Sequence, residues 1–235
     1  MNLIREQQLI LQSEKVVVFT GAGMSAESGV PTFRGKDGLW RGRRAEEIAT
    51  PEFFASSPEE VLEFYRWRRE LLKHVELHPG HVALGEWTKK RGSAVSVVTQ
   101  NVDGLHQKSG CPEVIELHGS IWSEHCQRCQ ETVEETDAGL CSCGGRFRPS
   151  VVWFGESLPE KGWSRATDLM SNADLILVIG TSAVVYPAAG LVSLALKNGA
   201  HVLEVNPEPV MEDSARTICG TAATVLPELL RSPQA

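Results

Sequence analysis

The chain has no long apolar run. None of its hydrophobic stretches approaches the ~20 residues of a membrane-spanning helix, so no membrane association is expected. Its first residues, Met1-Asn-Leu-Ile-Arg-Glu-Gln, carry neither the basic start nor the apolar core of a secretory signal. Positive charge is not in surplus. The 23 Lys and Arg against 30 Asp and Glu leave a net charge of −7, which disfavours nucleic acid as a partner. Internal repeats, low-complexity tracts and long terminal extensions are missing, so regulatory tails are not expected. A monomer is the accompanying expectation. No Ser or Cys stands in a nucleophile elbow, which leaves the substrate itself as a source of the nucleophile. What remains is 235 residues, 42% hydrophobic and 23% charged: one large domain, or one domain with a small insertion. The absence of an export signal favours a cytoplasmic setting, where cysteines stay reduced or bind metal.

The most informative stretch is Gly21-Ala-Gly-Met-Ser-Ala-Glu-Ser-Gly-Val-Pro-Thr-Phe-Arg34. It follows Lys15–Thr20, a short β-branched run that reads as a buried parallel strand. Gly21 and Gly23 permit a tight turn and close approach to a ligand. Ser25 is placed to cap a helix, with Glu27 in its first turn. Strand, turn and helix N-terminus together offer N–H groups to an anion, the pyrophosphate of a dinucleotide being the expected one. The spacing departs from the usual fingerprint: Ala26 occupies the third glycine position, and Gly29 and Pro31 require a short or broken helix. Arg34 is positioned as a phosphate clamp.

Five apolar runs read as strands of one mainly parallel sheet: Val16–Phe19, Ala94–Val98, Val114–Leu117, Leu175–Ile179 and Val202–Val205. Small or polar groups follow each: Gly21–Gly23, Thr99–Asp103, His118-Gly119, Gly180–Ser182 and Asn206–Glu208. In open α/β sheets such strand ends face the ligand crevice. Asn101, Asp103 and His118 lie beyond two neighbouring runs and can converge there, with His118 able to take a proton from a hydroxyl. Each also has a plain structural reading, as a turn residue, a solvated carboxylate or a satisfied histidine.

Two segments interrupt this pattern. Residues 35–79 read as helical, with Pro51 and Pro58 as helix starts. Residues 122–149 hold Cys126, Cys129, Cys141 and Cys143. Two close pairs separated by eleven residues signal a tetrahedral structural zinc, with His125 as a minor alternative ligand to the tightly spaced second pair. The expected division is therefore 1–34, 80–121 and 150–235 for the sheet domain, with 35–79 and 122–149 as insertions forming a smaller lobe. On the helix after Pro58, Val61, Leu62, Phe64, Tyr65, Leu71, Leu72 and Val75 make an apolar stripe, and Arg68 falls within it. A buried guanidinium is costly alone, so Arg68 pairs with an internal carboxylate or faces a cleft that takes an anion, with Tyr65 on the same face.

Together these motifs resemble the sirtuin family of NAD-dependent protein lysine deacylases, over about Lys15–Leu230 and in the family's order. The matching stretches are Gly21–Arg34, Thr99–His106, Glu116–Gly119, the four cysteines, Val151–Glu156, Gly180–Ser182 and Val205–Glu208. The resemblance implies a Rossmann-type NAD-binding domain, a small lobe made of a zinc module and a helical module, and a substrate cleft between them. It assigns Gly21, Ala22, Gly23, Ala26, Phe33, Arg34 and Trp40 to NAD. Gln100, Asn101 and Asp103 would surround nicotinamide and its ribose, and Gly180, Thr181, Ser182, Asn206, Pro207, Glu208 and Ala222 would hold the adenosine end. His118 would be the general base. Val152, Trp153, Phe154 and Gly155, with Val184 and Tyr186, would pair with an acylated-lysine peptide. The implied chemistry passes the acyl group to ADP-ribose as nicotinamide leaves. Tyr65, Arg68 and Ala45 match the branch that removes succinyl and malonyl groups. An NAD dehydrogenase, a protein ADP-ribosyltransferase and a non-catalytic NAD and zinc scaffold are the competing readings.

Overall fold

The computed structural model describes residues 3–31, 39–134, 139–182, 186–211 and 215–231. Its strands in chain order are β1 (Val16–Thr20), β2 (Leu39–Trp40), β3 (Arg43–Arg44), β4 (Val95–Thr99), β5 (Val114–Glu116), β6 (Gly119–Cys126), β7 (Thr132–Val133), β8 (Phe147–Val151), β9 (Leu175–Ile179), β10 (His201–Asn206) and β11 (Arg216–Cys219). The helices are α1 (Ile4–Gln12), α2 (Ala45–Ile48), α3 (Pro51–Ser56), α4 (Pro58–Lys73), α5 (Pro79–Arg91), α6 (Leu105–Lys108), α7 (Glu160–Ser171), α8 (Gly190–Lys197) and α9 (Ala222–Leu229).

The main sheet runs β11-β10-β9-β1-β4-β5 with every pairing parallel. Strands β1, β4 and β9 are buried at every residue, which explains their continuous apolar sequence. Alternate residues serve opposite faces. Val16, Val18, Leu177 and Val205 pack under α1, α5 and α9, through Ile10, Leu84 and Leu226. Val17, Phe19, Val178 and Val202 pack under α7 and α8, through Met170 and Leu191. All five expected strands are present, Leu175–Ile179 with its expected bounds and the other four shifted by a residue at one or both ends. The sixth, β11, escapes the sequence reading because it is an edge strand of four residues carrying Arg216 and Thr217. The chain leaves β1 for β4 and β5 on one side, then returns to β9 on the other. This is the doubly wound order, and its switch point opens a crevice beyond the carboxyl ends of β1 and β9.

A second core joins the helical segment to the strand that enters the cysteine module. Trp40, Ala45, Phe54, Val61, Phe64 and Tyr65 pack with Ile121 of β6, Val151 of β8 and Trp153. Pro51 and Pro58 occupy the first turns of α3 and α4, as their missing N–H allows, and Thr50 caps α3 by accepting from Phe53 N at 3.1 Å. Strands β7-β6-β8 form a separate antiparallel sheet. It begins at Gly119 and ends at Val151, a little wider than 122–149. On α4 two arginines are buried. Besides Arg68, Arg69 donates through Nε to Ile121 O (2.7 Å) and pairs through Nη2 with buried Glu124 (3.0 Å). The second arginine and its partner on β6 are not apparent from the helical pattern. No helix among the described residues is long and apolar enough to cross a membrane.

Candidate active site

The glycine loop does not start a helix. After Thr20 the chain makes two 3-10 turns, Ala22–Met24 and Ala26–Ser28, and closes at Gly29 with φ +85° before Pro31. Ser25 caps nothing there. Its hydroxyl donates to Asp103 Oδ2 at 2.7 Å, tying the loop to the segment after β4. The loop is locked to the β9 end by close backbone approach. Gly23 N donates to Gly180 O at 2.8 Å, and Gly180 holds φ +55°. A Cβ on Gly180 would come within 2.4 Å of Gly23 C and Met24 N. Phe33 and Arg34 lie outside the described residues.

Beyond β4, Asn101 is held by three bonds. Its N donates to Thr99 Oγ1 (3.0 Å), and its Nδ2 donates to Gly21 O (3.0 Å) and Ser25 Oγ (3.2 Å). Gln100 Nε2 donates to Thr181 Oγ1 at 3.1 Å, crossing the switch point. The Gln100 carbonyl accepts from His118 Nδ1 at 2.9 Å. A carbonyl only accepts, so Nδ1 carries the proton of the neutral ring and Nε2 keeps its lone pair. Burial lowers the His118 pKa from the ordinary 6.5, and the bond to Gln100 works against that. Two residues earlier, burial pushes the Glu116 carboxyl up to about 7, opposed by a bond from Gln107 and helped by nearby Asp103.

These groups line one cleft of about 430 Å³, between the glycine loop and the segment after β8. Gly21, Ala22, Gly23, Gln100, Asn101, His118, Gly180, Thr181, Ser182, Asn206 and Glu208 line it, as do Tyr65, Val152, Trp153, Phe154, Gly155 and Tyr186. Several expected site residues stand apart from this lining. Ala26 is solvent-exposed on the outer turn of the loop. Trp40 is buried edge-on against Phe64, and Ala45 is fully enclosed in the same core. Asp103 lies one layer behind Asn101, its carboxylate taken by Ser25 and by Leu105 N (3.0 Å). The Pro207 carbonyl accepts from Cys219 Sγ at 3.3 Å. Ala222 is packed in the sheet core, its carbonyl against Gly80. Beside it Ala223 N donates to Glu27 Oε2 at 2.9 Å, which links the glycine loop to the start of α9. Val184 lies outside the described residues. The lining also includes Glu46, Ala49, Val151, Leu158, Pro187 and Val210, which sequence reading missed. Val151 and Leu158 flank the Val152–Gly155 run, while the others come from α2 and its end and from beside Tyr186 and Glu208, and apart from Glu46 they carried no polar signal.

Arg68 is buried, 5% exposed, behind Tyr65, with its guanidinium 5.8 Å from the Phe64 ring centre. Burial lowers its pKa, while Tyr65 and Asp103 act to raise it. The Tyr65 hydroxyl accepts from Trp153 Nε1 at 2.9 Å, and burial pushes its pKa up to about 12. Trp153 is itself clamped. Arg148 lies 3.4 Å over its ring and pairs with Glu156 at 2.6 Å, and Glu156 Oε2 accepts from Trp153 N at 2.8 Å.

The sulfurs of Cys126, Cys129, Cys141 and Cys143 all lie within 4.8 Å of one another. Cys126 and Cys143 are 3.5 Å apart, as are Cys129 and Cys141. A tetrahedral zinc with bonds of about 2.3 Å sets sulfurs roughly 3.8 Å apart, so the cluster fits the ion. Backbone N–H groups of Arg128 and Gly145 donate to Cys126 and Cys143 Sγ, each at 3.4 Å, as suits thiolates. A side chain at Gly145 would press within 2.5 Å of Cys126 Sγ. The one-residue spacing of Cys141 and Cys143 is thus accommodated. His125 stands outside the cluster, its ring 3.3 Å from Ser150 Oγ.

A doubly wound sheet whose switch point carries this glycine loop, with a four-cysteine module inserted beside the cleft, defines a family. The sequence profile of the Sir2 family matches residues 21–187, and the chain belongs to the Sir2, or sirtuin, family. The NAD-dependent protein deacylase 2 of Pyrobaculum aerophilum is 48% identical over 230 residues, 94% of this chain and 92% of that protein. A crystal structure of a Sir2 homologue in complex with NAD superimposes with a TM-score of 0.90 at 41% identity, over 97% of this chain and 92% of that one. A Sir2–p53 peptide–NAD+ structure gives 0.86 at 32% identity, over 98% of each.

Proposed function

We propose that this chain is an NAD-dependent protein lysine deacylase that acts on acetyl-, succinyl- and malonyl-lysine in proteins or peptides. Family membership and similarity to curated NAD-dependent protein deacylases support the activity. The observation that carries the site reading is the His118 tautomer: Nδ1 is committed to the Gln100 carbonyl, and the unprotonated Nε2 belongs to a residue lining the glycine-loop cleft.

Bound NAD would supply a ribose carbon that takes the acyl-amide oxygen as nicotinamide leaves, and a ribose hydroxyl that receives the acyl group as the lysine amine is released and one water is taken up. His118 removes the proton from that hydroxyl. Asn101, fixed by Gly21 and Ser25, orients the nicotinamide half, with Asp103 acting through Ser25. Gly21–Gly23 and Gly180–Ser182 cradle the pyrophosphate, and Asn206 and Glu208 hold the adenosine half. Val152–Gly155 and Tyr186 receive the peptide backbone. Tyr65 and Arg68 recognise the distal carboxylate of a succinyl or malonyl group. Ala26, Trp40, Pro207 and Ala222 act from behind the cleft lining. Zinc, held by the four cysteines, keeps their module folded, and four ligands leave no position for chemistry. The sheet domain comprises 1–34, 80–121 and 150–235, with insertions 35–79 and 122–149. A cytoplasmic monomer is the accompanying proposal.

The test is a mass-spectrometric time course with NAD and matched acetyl-, malonyl- and succinyl-lysine peptides. Loss of the acyl group, with nicotinamide and acyl-ADP-ribose formed in step, is the expected result. Gain of ADP-ribose on the peptide would mean ADP-ribosyl transfer instead. NAD binding without nicotinamide release would mean a scaffold, and NADH formation a dehydrogenase.

A further inference from the structure

Glu204 is a carboxylate in the middle of an interior strand, in a run that otherwise reads as core. It is fully buried on β10, on the face it shares with Val202 and Asn206. Four neutral donors saturate it. Oε1 accepts from Val210 N at 2.9 Å and from Asn206 Nδ2 at 3.3 Å. Oε2 accepts from Thr217 Oγ1 at 3.0 Å and from Met211 N at 3.2 Å. Two of these donors are consecutive backbone amides of the segment that follows Asn206-Pro-Glu208. That segment returns over the sheet here, with Glu208 and Val210 lining the cleft and Met211 packed on the core below.

The same carboxylate helps to decide how Asn206 faces. Asn206 Nδ2 also donates to the Thr181 carbonyl at 2.9 Å. A carboxylate and a carbonyl both only accept, so both amide hydrogens of Asn206 are consumed by its neighbours. Its Oδ1 is then the atom left for a ligand, and it takes a hydroxyl or amine. With an uncharged apolar residue at 204 the Thr181 carbonyl would still hold the amide, but its second N–H would be left without an acceptor and compete with Oδ1 for the ligand.

We infer that Glu204 is a positioning residue for the dinucleotide: it holds the 207–211 segment against the cleft and fixes Asn206 as an acceptor toward a donor group of the adenosine half. This rests on the reading that the adenosine half binds at Asn206. Glu204 itself lies behind Asn206 and acts through it.

Glu204→Gln presents an acceptor on one side only, so one of the two loop amides loses its partner, and Asn206 loses its own as well when the amino group takes the Oε1 side. The variant's KM for NAD rises about tenfold, the effect of one misdirected hydrogen bond, while kcat and the KM for acetyl-lysine peptide stay within twofold of wild type. A residue that only stabilised the fold would not single out NAD. An unchanged KM for NAD, or equal changes in all three constants, would overturn the inference. Asn206→Ala separates the two layers. If it leaves the KM for NAD unchanged, the placement of the adenosine half is wrong. If it raises that KM while Glu204→Gln does not, the role of Glu204 is wrong. Thr217→Val removes one donor to the same carboxylate from an edge strand and serves if Glu204→Gln is insoluble. A weakened NAD affinity by calorimetry is then expected, and an unchanged one refutes the inference.

Discussion

His118 and Arg68 make separable predictions at the scale of single side chains. Replacing His118 by Ala removes the lone pair proposed to take the ribose-hydroxyl proton, and deacylation is expected to fall ~10²–10⁴-fold. Protonation removes the same lone pair in the wild type. Burial lowers the His118 pKa, so the acid limb of kcat/KM falls below the ordinary imidazole value of 6.5. A limb centred above 6.5 would contradict the buried, Gln100-bound imidazole. Arg68 is a different matter, because it stands behind Tyr65 and not in the cleft lining. Trp153 occupies the Tyr65 oxygen as a donor, which leaves the Tyr65 proton free to be given to an anion. Arg68→Met is therefore expected to cut desuccinylation at least tenfold more than deacetylation. Equal losses for matched peptides would reassign Arg68 to the core.

At the scale of loops and strands, the interlock of two chain reversals is the vulnerable point. Gly180→Ala forces a side chain at φ +55° into the Gly23–Met24 backbone. Destabilisation of roughly 2–3 kcal/mol is expected in urea unfolding, with a larger loss in NAD affinity than in peptide affinity. A near-neutral result would mean that the two turns are free to separate. Much of this level was legible from sequence because buried parallel strands are unbroken apolar runs and their polar ends stand out. The cysteine spacing was legible for a similar reason, since two close pairs of soft ligands are the pattern of a tetrahedral metal site. Other features depended on distant partners. Ser25 looked like a cap until Asp103, 78 positions away, took its hydroxyl. Arg69 carries no signal in the helical pattern, because its partner Glu124 lies on a distant strand. Glu204 hid in an apolar run because its donors come from the next loop and the edge strand. The family resemblance implied roles for Ala45, Trp40 and Ala222, yet packing places them apart from the cleft lining.

Across the whole molecule, the small lobe and the sheet domain depend on different kinds of cohesion. Among the described residues the cysteine module contributes a small core of Cys126, Cys141 and Phe147 with partly buried Val133 and Cys143, so chelation should unfold it while the sheet domain persists. Loss of activity with a chelator, matched by partial loss of structure in circular dichroism and reversed by zinc, is the expected outcome. The sheet domain has its own weakness, to acid. His78, His81 and His106 stack behind the glycine loop, with ring centres 4.1 and 5.8 Å apart. His78 Nε2 reaches Met24 O at 2.7 Å. The Thr20 hydroxyl gives its proton to Thr99, so His106 Nε2 must donate to Thr20, leaving Nδ1 without a partner among the described residues. Both ring nitrogens of His81 are likewise unpartnered there. Burial, with His78 and His106 nearby, pushes His81 down to about 2. Burial brings His106 to about 4, with Asp103 pulling it up and His78 down. Both pKa values are depressed, so the folded state holds neutral rings while the unfolded chain takes up protons near 6.5. Their contribution is full above 6.5 and declines as pH falls toward 4. Glu116, raised to about 7, acts in the opposite sense over the same range, so wild-type stability alone does not isolate the histidines. Comparison with His81→Leu does, because Glu116 is common to both. Between pH 7 and 5.5 the wild type should lose about 1.2 kcal/mol more unfolding free energy than His81→Leu, the share of one histidine held neutral. Identical losses in the two proteins would show that His81 titrates freely, and that the layer behind the glycine loop is open to water.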